Sequence, residues 1–131
     1  INNTWAQEDP VVESVFAGIA SVLDAVHARK PKARIILQSL LPTNDAARNR
    51  DVVVPVNARI KDLAARQPHA GYTVFLDLYP LFTDPAGNQK AAFFVADGVH
   101  PNDAGYRAWS ARLLPFLKQQ RDSAGGVHPA K

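Results

Sequence analysis

Two short runs rich in β-branched and aliphatic residues, Arg34–Leu40 and Tyr72–Asp77, lie between stretches whose apolar residues recur at helical spacing. That order, helix–strand–helix–strand–loop–helix, admits few folds. Strands joined through a helix run parallel, with right-handed crossovers, in a layered α/β arrangement. The run Arg34-Ile35-Ile36-Leu37-Gln38-Ser39-Leu40 lacks the alternation of a sheet with one wet face, and it reads as a strand covered on both sides.

The helical segments are legible from their faces. Val12, Val15, Phe16, Ile19, Val22, Leu23 and Val26 step by threes and fours, with Asp9 as N-cap, Pro10 at the first helical position and Pro31 as terminator. Val56, Ile60, Leu63 and Ala64 form a second face, closed by Pro68 and Gly71. Its start within Asp51–Pro55 stays open, since Val52-Val53-Val54 also suits an extended chain. Asn102 is placed to cap a last helix with Tyr106, Trp109, Leu113, Phe116 and Leu117 on its core face. Past Gln120 the composition changes, so residues 121–131 are expected to be a flexible tail.

Two strands cannot cover the apolar faces of three helices. The chain, residues 1–120, therefore reads as the C-terminal portion of a single domain whose other strands lie elsewhere. A sequence of 131 residues without a single Met, beginning at Ile1, fits that expectation. The absence of Cys excludes a disulfide framework, Cys-ligated zinc and thiol catalysis. Net charge is +3, and Arg29, Lys30, Lys32 and Arg34 read as a solvated helix end, not a nucleic-acid footprint. No apolar run is read as a membrane span.

The chemistry concentrates in Asp97-Gly98-Val99-His100-Pro101-Asn102. A glycine between Asp and His permits a turn that brings the carboxylate to the imidazole Nδ1–H. The carboxylate then fixes the tautomer and leaves Nε2 as a base. Alone, the same spacing also describes an ordinary helix-entry turn that contains a histidine.

With Asp103-Ala104-Gly105-Tyr106 and an amphipathic helix behind it, this stretch resembles the last sequence block of the SGNH, or GDSL, hydrolases. Ile1-Asn2-Asn3-Thr4-Trp5 resembles the Gly-x-Asn block of the same family without its glycine. Leu37-Gln38-Ser39-Leu40-Leu41-Pro42 is similar to the fourth strand of its platelet-activating-factor acetylhydrolase-like and carbohydrate acetylesterase branches. The resemblance implies a flavodoxin-like three-layer α/β/α fold with a parallel sheet. It implies a serine esterase acting on short-chain acyl esters, acetyl above all, without cofactor or metal. By position, His100 would be the general base, Asp97 its orienting carboxylate and Asn2 an oxyanion donor, with its neighbour Asn3 as the fallback. Asn3, Trp5, Leu41 and Val99 would border the substrate pocket, Trp5 alternatively serving only for packing.

The nucleophilic serine of that family lies in a Gly-Asp-Ser block, and this chain has none. Ser14, Ser21, Ser39, Ser110 and Ser123 all have the wrong neighbours. The implied partner is therefore an N-terminal segment or second chain carrying that block, and this chain alone is expected to be inactive. The substrate would be a small ester or acetylated sugar, with no nucleic acid and no membrane span involved. A noncatalytic glycan- or ligand-binding module on the same fold is the alternative. A nucleotide-binding reading lacks its Gly-rich loop. His27 reads as a solvated helix cap, His69 as an exposed loop residue, His128 as tail sequence and Asp77 as a turn residue at a strand end.

Overall fold

A computed structural model describes residues 1, 4 and 10–125 of the chain. Helix α1 (Val11–Arg29) leads to strand β1 (Ile35–Gln38). A helical stretch follows as α2 (Ala46–Arg48), a π turn (Asn49–Val53) and α3 (Val54–Ala65). Strand β2 (Thr73–Leu76) and a long loop with short 3-10 turns precede α4 (Asp103–Gly125).

The strands form a two-stranded parallel sheet, with Ile35 opposite Thr73 and Gln38 opposite Leu76. Ile35 N–H donates to Tyr72 O (2.8 Å) and Ser39 N–H to Leu76 O (3.0 Å). Successive side chains on β1 point to opposite faces. Ile36 accordingly packs into the core cluster beneath α4, and Gln38 accepts a bond from Trp109 Nε1 on α4 (2.7 Å). Leu37 points the other way, into a cleft beneath α1. Helices thus lie on both faces of a small parallel sheet, as the order of elements predicts. Among the described residues no strand lies beside the other edge of β1.

The core is built by Leu76, Leu78, Phe82 and Phe94, with Trp109, Leu113 and Phe116 of α4 packed on it. Phe82 is fully buried, and Phe93, Phe94 and Trp109 meet its ring edge-on at 5.7, 5.6 and 6.5 Å between centroids. Each such burial contributes roughly 1.5–3 kcal/mol.

Several local expectations are corrected. Pro10, not Asp9, is the residue that caps α1; Asp9 lies outside the described residues. The undecided segment before α3 is helical, because Val53, Val56 and Ile60 form one fully buried face. The π turn there lets Val54 N–H reach Asn49 O ahead of Pro55, which has no N–H to give. Two residues assigned to the core face of the last helix, Tyr106 and Leu117, are 54% and 39% exposed. That helix also runs past Gln120 to Gly125, so residues 121–125 are helical and not tail.

His27 is not a free cap: its ring stacks on Tyr72 at 3.8 Å, since β2 begins beneath the last turn of α1. Nor is His69 exposed; its Nε2 meets Asp24 Oδ1 at 3.0 Å with the side chain 12% exposed. Helix α1, which the sequence reading did not pick out as a membrane-span candidate, is by length and a mean hydropathy of 1.5 able to cross one. In the fold it lies along α3, with Arg59 reaching Glu13 (2.6 Å) and the face of Phe16.

Candidate active site

In a parallel α/β sheet the loops leaving the carboxyl ends of the strands gather on one edge and build the site. Here the exit of β1 is held by asparagines. Asn57 of α3 brackets Leu40, accepting from its N–H (2.7 Å) and donating to its carbonyl (3.0 Å). Asn49 does the same for Thr43, at 2.8 and 2.7 Å. Ser39 is buried, and its hydroxyl oxygen accepts the N–H groups of Leu78 (2.8 Å) and Tyr79 (3.0 Å). That is the structural role expected of a strand-end serine. Asp77 likewise accepts from Tyr79 N–H (3.1 Å), closing a turn.

The Asp97–His100 turn lies against this exit. Val95 N–H donates to His100 O (2.9 Å) and Gly98 N–H to Val95 O (3.0 Å), so the segment folds back on itself. Gly98 takes a φ of +67°, and a Cβ there would fall 2.2 Å from the side chain of Asn44. The glycine is required by both backbone and space. At the exit, Asn102 accepts from Gly105 N–H (3.0 Å), capping α4, and its amide ties the carbonyls of Ala92 and Phe94 (both 3.0 Å). Gly105 is needed as well, because a Cβ would stand 2.2 Å from Phe93 O.

Within the turn Asp97 uses both oxygens. Oδ1 accepts the N–H groups of Val99 (2.8 Å) and His100 (3.0 Å), and Oδ2 meets His100 Nδ1 at 2.7 Å. Chiefly the His100 N–H, then the imidazole and the Val99 N–H, hold the Asp97 carboxyl down at about 2. An ionised carboxylate only accepts, so the short contact places a proton on Nδ1 and leaves Nε2 as the acceptor of the neutral ring. The His100 side chain is 69% exposed. Among the described residues no serine hydroxyl bonds to it.

The low carboxyl value has a sign that can be checked. A depressed native value means that the Asp97 bonds stabilise the fold above the ordinary carboxylate range of about 3.9. This contribution is lost as pH falls from about 4 towards about 2. Carbon-13 NMR of the Asp97 carboxyl is expected to show a midpoint near 2. A midpoint at the ordinary value would mean that the turn does not hold this carboxylate in solution.

Of the residues singled out in the sequence, Asp97, Val99 and His100 are brought together in one turn. Leu41 packs against the core cluster. Asn2, Asn3 and Trp5 lie outside the described residues. Between them Thr4 is buried, with its N–H on Ile1 O (2.9 Å) and its carbonyl accepting from Arg48. The residues that sequence reasoning missed are amides: Asn44, Asn49, Asn57 and Gln89. Asn57 sits at a polar position of a helical period, which reads equally as a solvated face; nothing local distinguishes it. No group of three or more His, Asp or Glu side chains among the described residues is arranged to hold a metal ion.

Comparison with known proteins finds relatives across most of the chain. The sequence pattern described as the GDSL-like lipase/acylhydrolase family matches residues 1–108. A GDSL lipase of Mycobacterium tuberculosis, Rv0518, is 30% identical over 113 residues, which is 86% of this chain and 44% of that protein. A solved GDSL-like lipase from Bacteroides thetaiotaomicron superposes with a TM-score of 0.67 at 23% identity, over 91% of this chain and 58% of that one. The chain thus spans about half the length of either relative.

Proposed function

This chain belongs to the GDSL-like lipase/acylhydrolase family, and from that premise we propose that it supplies the base half of a serine esterase acting on short-chain acyl esters, acetyl esters above all. The observation that carries the reading is the Asp97–His100 pair, 2.7 Å apart on a glycine turn at the carboxyl edge of the sheet, with Nε2 free to accept a proton. The nucleophilic serine comes from a segment outside this chain, bearing a Gly-Asp-Ser block.

In the assembled site Nε2 of His100 takes the proton of that serine hydroxyl as its oxygen bonds to the acyl carbon. The same proton passes to the leaving alcohol as the ester C–O bond breaks. Water, deprotonated by the same nitrogen, then releases the acid and regenerates the serine. Asp97 stays ionised throughout and steadies the imidazolium. The amide of Asn2 donates to the oxyanion.

Where that segment docks is suggested by the edge of β1 opposite β2, beside which no strand lies among the described residues. Ile36 and Gln38 alternate with the residues bonded to β2, so their backbone groups face outward and suit a further parallel strand. Beside that edge lies an apolar cleft of about 530 Å³ lined by Val15, Ile19, Val22, Leu37 and Leu40. Such a strand would complete a flavodoxin-like α/β/α domain.

Fluorophosphonate labelling tests the reading, because it marks only an activated serine. The chain alone is expected to stay unlabelled, and co-expression with a Gly-Asp-Ser segment of a family member is expected to produce label on that segment and hydrolysis of p-nitrophenyl acetate. A stable complex with neither label nor hydrolysis would favour a noncatalytic binding module instead.

A further inference from the structure

The Asp97–His100 turn closes on itself through its own bonds, but those bonds do not fix where the turn sits relative to the sheet. That second task falls on the carbonyl of Gly98, which points back at the β1 exit. It accepts from Asn44 N–H (3.0 Å) and from Gln89 Nε2 (2.8 Å). The same Nε2 also donates to Pro42 O (2.8 Å), so both amide protons of Gln89 are used. One side chain therefore ties the loop that leaves β1 to the turn that carries His100.

Gln89 is itself well anchored. It bridges Thr83 in an antiparallel pair, and Lys90 N–H donates to Phe82 O (2.9 Å), in the fully buried centre of the core. On its other side, Asp84 gathers the N–H groups of Ala86 and Asn88 (both 2.9 Å) into a tight turn. The clamp thus rests on the core and reaches outward to the site.

We propose that Gln89 is a positioning residue for the base: it sets the Asp97–His100 turn, as a unit, against the carboxyl end of β1. Its importance for turnover rests on the esterase reading, but its positioning role does not. A base displaced by about 1 Å can lose about a hundredfold in rate. Removal of the clamp therefore lowers kcat with little effect on KM.

The test is amide hydrogen exchange, followed by NMR on the whole chain, for Gln89→Met and Gln89→Glu. Met keeps the length without donors. Glu keeps the shape but turns acceptors towards two carbonyls. The Asn44 amide reports the contact between the turn and the β1 exit, the Val99 and His100 amides report the inside of the turn, and Ile35 and Ser39 report the sheet. The expected result is an Asn44 amide exchanging about tenfold faster or more in both variants. Val99, His100, Ile35 and Ser39 should stay within about twofold, given that their bonds do not involve Gln89. Unchanged Asn44 exchange would overturn the proposal. So would equal acceleration at Ile35 and Ser39, or unfolding of both variants, since Gln89 would then support the fold as a whole. Because no step of this experiment involves hydrolysis, it can fail while the esterase reading stands, and the reverse.

Discussion

If the proposed esterase assembles, His100→Ala is expected to lower turnover of a short acetyl ester by about 10⁵-fold or more, with the residual rate coming from binding and oxyanion contacts. The size follows from what is removed. Without Nε2 the serine hydroxyl loses the base proposed to take its proton. Asp97→Asn is expected to cost less, because the backbone N–H groups of Val99 and His100 still meet a side-chain oxygen and keep the turn closed. What it removes is the charge that favours the Nδ1–H tautomer and the imidazolium. Steady-state kinetics of purified complexes check both. Thermal unfolding of His100→Ala should be almost unchanged, because the ring is exposed and outside the core. Near-normal turnover in His100→Ala would remove the base from this turn altogether.

Asn2→Ala is expected to lower kcat by about 10²–10³-fold with little change in KM, the signature of a donor that acts in the transition state. Oxyanion donors must be held within about 2.7–3.1 Å of the developing charge. Of the described residues on either side of it, Ile1 and Thr4, Thr4 is buried, donates its N–H to Ile1 O (2.9 Å) and is tied through its carbonyl to Arg48, which gives this end of the chain a fixed point two residues on. Asn3→Ala is the control. A large loss at Asn3 with none at Asn2 would shift the role by one position. Small, equal effects at both would take the segment out of the oxyanion site and leave the Asp97–His100 pair as the support for a hydrolase.

The pair itself was legible because every part of it is local. Asp97, Gly98 and His100 lie within one turn, and Asp97 Oδ1 accepts the backbone N–H groups two and three residues on while Oδ2 meets the His100 ring. A turn of this kind is decided by backbone sterics and short-range hydrogen bonds, and these are written into neighbouring residues. The same holds for Asn102 as the cap of α4 and for the two strands, whose parallel pairing follows from the helices between them. The undecided start of α3 was a contest between local preference and burial. Val52-Val53-Val54 suits an extended chain by propensity, but Val53, Val56 and Ile60 can all be buried together only on a helix.

His27 and His69 show the opposite limit. Each reads as a solvated side chain from its neighbours, yet one stacks on Tyr72 and the other pairs with Asp24, and these partners lie 45 residues away. Gln89 belongs with them: its two acceptors are 47 and 9 positions distant, and no period or motif marks it. The sequence by itself determined the order of elements, the parallel sheet and the Asp97–His100 contact, since each depends on spacing along the chain. Only the tertiary structure decided where that contact stands against the sheet and which amides hold it there. Those contacts join segments brought together by burial of the shared core, and side chains that meet across such distances leave no trace in local spacing.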